Sequence, residues 1–148
     1  MHEPSIRVPM LLKIGNKLPQ PGFQPPEMVL NIDIAPTLLD LAGVEIPKTM
    51  QGRSWSALFK DPAAEFRKDW LYEYYEYPAE HSVRKHRGVR TDTWKLIHYY
   101  EAPEEFELYD LAKDPWEKDN LYGRPEHVER VEQLKKRIEE LRKETRDN

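Results

Sequence analysis

His81, His86 and Arg90 are the side chains whose type and spacing point most directly to chemistry, because imidazole and guanidinium supply the directed donors that an anionic or hydroxyl-rich ligand requires. They lie in a basic stretch, His81-Ser82-Val83-Arg84-Lys85-His86-Arg87-Gly88-Val89-Arg90, within a chain of net charge −4. On an extended strand His86, Gly88 and Arg90 share one face, and Gly88 leaves space between the two polar groups. A ligand could fit there. The competing reading is that Arg90 pairs with a structural carboxylate and that the other basic groups simply face water.

Four strand-like runs surround and include this stretch: Trp70–Tyr77, His86–Thr91, Trp94–Tyr100 and Phe106–Tyr109. Their short connections predict one antiparallel sheet. From Pro125 to about Thr145, Val128, Val131, Leu134, Ile138 and Leu141 recur at three- and four-residue steps, which predicts a long helix laying one apolar stripe on that sheet. Asp61-Pro62 marks a boundary by its turn chemistry, and the patterns before it differ from those after it. Val8–Ile14 reads as a short buried strand, and Ile34, Leu38, Leu39 and Leu41 read as the core face of a helix capped by Asp33 and ended by Gly43. A shorter helix is expected from Ser54 to about Lys60.

Composition narrows the function classes. With 39% hydrophobic residues, 34% charged residues and 13 prolines, the apolar material must concentrate in a few segments joined by much loop. The negative balance gives no general attraction to nucleic acid, and no run is apolar enough for a membrane span or signal peptide. Without cysteine there is no disulfide, thiolate metal site or cysteine nucleophile, and the compartment stays undetermined. No phosphate-binding glycine loop, paired-histidine zinc motif or serine nucleophile elbow occurs. His98 reads as a structural strand residue, His127 as solvated, and His2 as packing or terminal disorder.

Five stretches, in order, resemble the C-terminal part of type I, formylglycine-dependent sulfatases: His2-Glu3-Pro4-Ser5-Ile6-Arg7-Val8-Pro9; Asp33 to Val44; Gln51-Gly52-Arg53-Ser54; His86 to Thr91 with Trp94-Lys95-Leu96-Ile97; and Glu107 to Leu111 followed by Lys113-Asp114-Pro115 and Asn120-Leu121. The resemblance implies an α/β protein, α+β as truncated. Residues 1–62 would be the end of an alkaline-phosphatase-like catalytic domain. Residues 63–148 would be a small C-terminal subdomain of about four antiparallel strands packed by the long helix. The partner it implies is a missing N-terminal sulfatase domain, and the substrate a sulfated carbohydrate.

The resemblance also implies what this chain does not supply. The family's nucleophile is a formylglycine made in a Cys/Ser-x-Pro-x-Arg motif, and no serine here has proline two residues on. Calcium ligands and catalytic basic residues of the family lie upstream, and a lysine that normally precedes the segment matching His2-Glu3 would fall just before Met1. The expectation is therefore a fragment without catalytic, metal or cofactor residues of its own, inactive alone, that contributes a wall of the substrate pocket. His81 and His86 before Gly88-Val89-Arg90-Thr91 resemble N-acetylglucosamine-6-sulfatases and mucin-desulfating sulfatases, which makes His86, Arg90 and His81 the expected sugar contacts. The parent family is commonly periplasmic, extracellular or lysosomal. Two alternatives remain: a stand-alone, non-catalytic module that binds sulfated glycans or a protein, and a fragment of a related phosphodiesterase or phosphonate hydrolase.

Overall fold

A computed structural model describes residues 1–15, 22, 24–61, 64–78, 80 and 82–146. The expected site residue His81 lies outside the described residues. In chain order the elements are α1 (Glu3–Ile6), a 3-10 turn (Asn31–Asp33) that runs into α2 (Ile34–Leu41), α3 (Ser56–Lys60), β1 (Asp69–Tyr74), β2 (His86–Thr91), β3 (Trp94–Tyr99), β4 (Glu105–Asp110), and a 3-10 turn (Pro125–His127) that opens α4 (Val128–Arg146). They form two compact units. One joins Met1–Val8 to Asp69–Glu144; the other joins Pro9–Lys68 to the residues from Thr145 onward.

The first unit is built on an antiparallel sheet in the order β1-β2-β3-β4. The β2–β3 hairpin turns at Asp92-Thr93 without a glycine, because the Thr91 hydroxyl oxygen accepts from the Trp94 amide at 2.9 Å and closes the turn from the side. Alternation along the strands gives the sheet two faces. Val89, Leu96 and Leu108 meet Val131, Leu134, Ile138 and Leu141 of α4 on one face. Met1, Ile97, Tyr109 and Leu111 cluster on the other. Each fully buried aliphatic side chain contributes about 1.5–3 kcal/mol, so the helix stripe is a main source of this unit's stability. Val128 departs from the stripe, being 58% exposed at the start of the helix. The outer edge of β4 is covered by the following loop: the Leu108 amide donates to Asn120 Oδ1 and the Leu121 amide to the Leu108 carbonyl.

The second unit is held by a polar hub. Both oxygens of Asp33, which is fully buried, receive the guanidinium of Arg67, and they also accept from the amides of Leu30 and Arg53 at 2.8 Å. Thr37 extends the hub by donating to the Asp33 carbonyl and accepting from the Trp55 amide. This arrangement corrects the expected core face of α2. Pro36 and Thr37 are its buried residues, whereas Ile34 and Leu38 are exposed. The physical reason is that the helix turns its hydroxyl and its N-terminal carboxylate inward to satisfy one another, which rotates the aliphatic side outward.

The expected strand at Val8–Ile14 is also corrected: the segment is irregular, and Leu11 is 98% exposed. A strand needs a neighbour to take up its N–H and C=O groups, and no strand of the described residues lies beside it. Among the described residues no helix is long and apolar enough to cross a membrane.

Candidate functional site

The sheet face opposite α4 carries a cleft of about 640 Å3, bordered by the N-terminal segment and by the ends of β1 to β4. His2 and Ser5 of the N-terminal segment line it together with Tyr74, Arg84, Tyr99 and the buried His86. The strand period places His86, Gly88 and Arg90 on this face as expected, but their surroundings are filled.

His86 is buried among three tyrosines, with ring centroids 5.5 Å from Tyr72, 5.4 Å from Tyr74 and 5.3 Å from Tyr99. Its Nδ1 is 2.8 Å from the Arg84 carbonyl, which can only accept, so Nδ1 carries the proton. Nε2 is then the acceptor, and it faces the Met1 nitrogen at 2.9 Å. Burial holds the imidazole below its usual pKa, against the raising effect of the Arg84 carbonyl. His86 is thus a neutral, fully partnered ring.

The space expected above Gly88 is occupied. A Cβ there would meet the Leu96 carbonyl oxygen at 2.4 Å and the Met1 sulfur at 2.5 Å, so the methionine side chain sits where the sequence suggests room for a ligand. Arg90 is paired with Glu3, with N–O distances of 3.4 and 3.5 Å, and donates to the Thr91 carbonyl at 2.9 Å. The remaining cations of the basic stretch are engaged too. Arg84 meets Glu105 at 3.2 Å and lies over the Tyr99 ring; Lys85 meets Glu101 at 2.9 Å; Arg87 lies over Tyr100.

Two groups that sequence reasoning does not single out, Lys95 and Glu117, shape this face. Lys95, with no solvent exposure, directs Nζ to Glu117 Oε1 at 2.5 Å, Glu3 Oε1 at 2.7 Å and the Met1 carbonyl at 3.0 Å. Glu117 also accepts from the Glu3 amide at 2.6 Å. It does so at φ 53°, in the left-handed region that costs an ordinary residue about 1–2 kcal/mol. Burial raises the Glu3 carboxyl, but hydrogen bonds from Lys95 and Arg90 outweigh it and leave the pKa below the usual value. His2, expected as packing or terminal disorder, packs edge-on against the Tyr109 ring at 5.8 Å and also lines the cleft, with Glu107 at 3.7 Å and Glu117 at 3.4 Å.

The cleft offers hydroxyl donors, a carboxylate-paired guanidinium at Arg84, carboxylate acceptors and aromatic faces. Burial, with Glu107 beside it, pushes the Tyr99 hydroxyl up to about 12, and the same causes raise Tyr109 further, so both stay protonated at neutral pH. Tyr109 donates to Glu107 at 3.0 Å. Because Arg84 is already matched by Glu105, and Glu107 adds a further negative charge, the lining suits hydroxyl and amide groups with ring faces better than a free sulfate. No group of three or more His, Asp or Glu among the described residues is arranged to hold a metal ion.

Comparison with known proteins bears on this geometry. Residues 1–144 match the family described as N-sulphoglucosamine sulphohydrolase, C-terminal. An N-acetylglucosamine-6-O-sulfatase of Bacteroides thetaiotaomicron is 39% identical over all of this chain and 27% of its own length. An ulvan-active sulfatase of Formosa agariphila is 31% identical over 82% of the chain and 24% of its own length. A solved complex of a protein with its substrate D-glucosamine-2-N,6-O-disulfate superposes with a TM-score of 0.75 at 44% identity, over 80% of this chain and 25% of that one. The chain therefore spans about a quarter of the length of the relatives it matches.

Proposed function

The chain belongs to the N-sulphoglucosamine sulphohydrolase C-terminal family and is the C-terminal part of a sulfatase, and from that premise we propose that it forms a sugar-facing wall of the substrate pocket in an enzyme acting on 6-O-sulfated N-acetylglucosamine. The observation that carries this reading is the cleft over His86. Its tyrosines, paired Arg84 and two glutamates fit the uncharged portion of a sugar, while the sulfate would be held by groups elsewhere in the enzyme. Relatives named for a 6-O-sulfated glucosamine substrate support the choice of sugar.

In this reading His86 and Arg90 act one step back from the ligand. His86 sets the stack of Tyr72, Tyr74 and Tyr99, and Arg90 holds Glu3 beneath the N-terminal wall. Formylglycine and calcium, which the sulfatase resemblance implies for the reaction, would come from outside this chain. The alternative of a stand-alone glycan-binding module is less well supported, because the cations at Arg84, Lys85 and Arg90 are each matched by a carboxylate.

The test is kinetic and uses the enzyme that contains this chain. Tyr74→Ala is expected to raise KM for 6-sulfated N-acetylglucosamine about tenfold more than KM for a small aryl sulfate, on the order of one lost ring contact. Equal effects on the two substrates, or none on either, would refute the wall. The chain by itself, supplied with calcium, should not turn over an aryl sulfate.

A further inference from the structure

We infer that Lys95 and Glu117 are positioning residues: together with Glu3 they form a buried latch that fixes the segment Met1–Val8 as one wall of the cleft. The inference rests on the proposed function for its catalytic consequence, but its structural content stands apart from any substrate.

Five observations converge on the latch. Lys95 lies on β3 with no solvent exposure, and a lysine is rarely placed so unless its charge is answered. Its three oxygen partners come from two segments remote in sequence, Met1 and Glu3 at one end and Glu117 after β4. The carboxylate of Glu117 holds the same segment a second time through the Glu3 amide. The charges balance locally, because Lys95 and Arg90 face Glu3 and Glu117. Glu117 keeps its place with a left-handed backbone that a glycine would adopt at no cost, so the carboxylate rather than the turn accounts for the residue's contacts there.

A latch of this kind acts through direction. Apolar contacts of Met1 and Ile6 with Ile97 and Tyr109 hold the segment against the sheet without choosing its register. Hydrogen bonds to Glu3 and to the Met1 carbonyl do choose it, and they thereby aim His2 and Ser5 at the cleft. Since neither Lys95 nor Glu117 lines the cleft, their effect on a ligand is transmitted through the segment they hold.

The experiment removes the latch while keeping the charge balanced. In the double variant Lys95→Met with Glu117→Leu, the pair Arg90 and Glu3 remains, and apolar groups of similar length replace the buried ions. Amide exchange read residue by residue should show the Glu3 amide exchanging at least about tenfold faster, with the amides of Val89, Leu96 and Leu108 unchanged. In the enzyme containing the chain, KM for 6-sulfated N-acetylglucosamine should rise about tenfold more than KM for an aryl sulfate, as misplacement of a binding wall predicts. Unchanged protection of Glu3 would overturn the latch. So would loss of the whole sheet's protection, because the pair would then hold the fold and not the segment. If the unaltered enzyme fails to turn over 6-sulfated N-acetylglucosamine, the proposed function falls, while the exchange of the Glu3 amide still decides the latch.

Discussion

The two units each bury an ionic hub, and the hubs do opposite jobs. Around Lys95, a cation is added to a sheet that already has apolar clusters on both faces, and its partners reach it across 22 and 94 residues of sequence. Around Asp33, an anion gathers a cation and two amides from its own unit, where the buried apolar residues among the described ones are few, chiefly Trp55 and Leu58. The first hub directs a segment on an existing core. The second substitutes for a core, which is why α2 can leave Ile34 and Leu38 in water.

The largest expected effect tests the second hub. Asp33→Ala strands the buried Arg67 guanidinium and removes the acceptor of the Leu30 and Arg53 amides, so it should cost about 3–5 kcal/mol or more in that unit. Amide exchange across residues 28–58 should collapse while the strand amides stay protected. Equal loss in both units would break the distinction between the hubs.

Next comes Glu117→Gly. Glycine relieves the left-handed backbone by about 1–2 kcal/mol, but losing one partner of a buried pair costs about 3–5 kcal/mol, so the variant should be destabilised by roughly 1–4 kcal/mol on chemical denaturation. A stabilised variant would mean that the carboxylate contributes less than its backbone costs.

Acid should weaken the sheet unit through both His86 and Glu3. His86 has a lowered pKa in the folded state, so the unfolded chain takes up its proton first; the stability linked to it is complete above about pH 6.5 and fades as pH falls. Glu3 is lowered as well, and its contribution is complete above the ordinary carboxylate range near about pH 4.3, then lost as pH drops through the folded value. Urea midpoints of wild type and His86→Phe, measured from pH 8 to 5, should converge as the histidine's contribution fades. A wild-type midpoint that rises on acidification would contradict the assigned neutral ring.

How far the sequence reveals this architecture follows from the same contrast. The four strands and α4 are legible because alternation and a three-to-four step record which side of each element meets apolar partners. The faces of Lys95 and Thr37 are not legible. A lysine alternating with Leu96 on a strand reads as solvent-facing, and nothing local announces that Glu3 and Glu117 will arrive above it. Likewise the sequence offers His86 and Arg90 as donors to a ligand, and it does not show which groups of the chain reach them first. The groups that occupy them, the Met1 nitrogen and side chain and Glu3, come from more than 80 residues away. A buried polar hub is written in long-range pairing, which a periodic pattern does not encode. Val8–Ile14 fails for the converse reason, since an apolar run makes a strand only where a neighbouring strand is present.

The smallest expected effect concerns the apolar side that the Asp33 hub leaves outward. Leu38 is 57% exposed on α2, so Leu38→Ser should change the stability of this chain by no more than about 0.5 kcal/mol. The same substitution in a protein containing the remainder of a sulfatase should cost about 2 kcal/mol or more if that remainder buries the leucine. Thermal or urea unfolding of the two forms gives the comparison directly. A large loss in the chain alone would show that Leu38 already has apolar partners, and the view of Asp33 as a substitute for a core would have to be abandoned. Matching small losses in both forms would instead place the covering surface elsewhere, and leave the outward face of α2 as ordinary solvent-exposed surface.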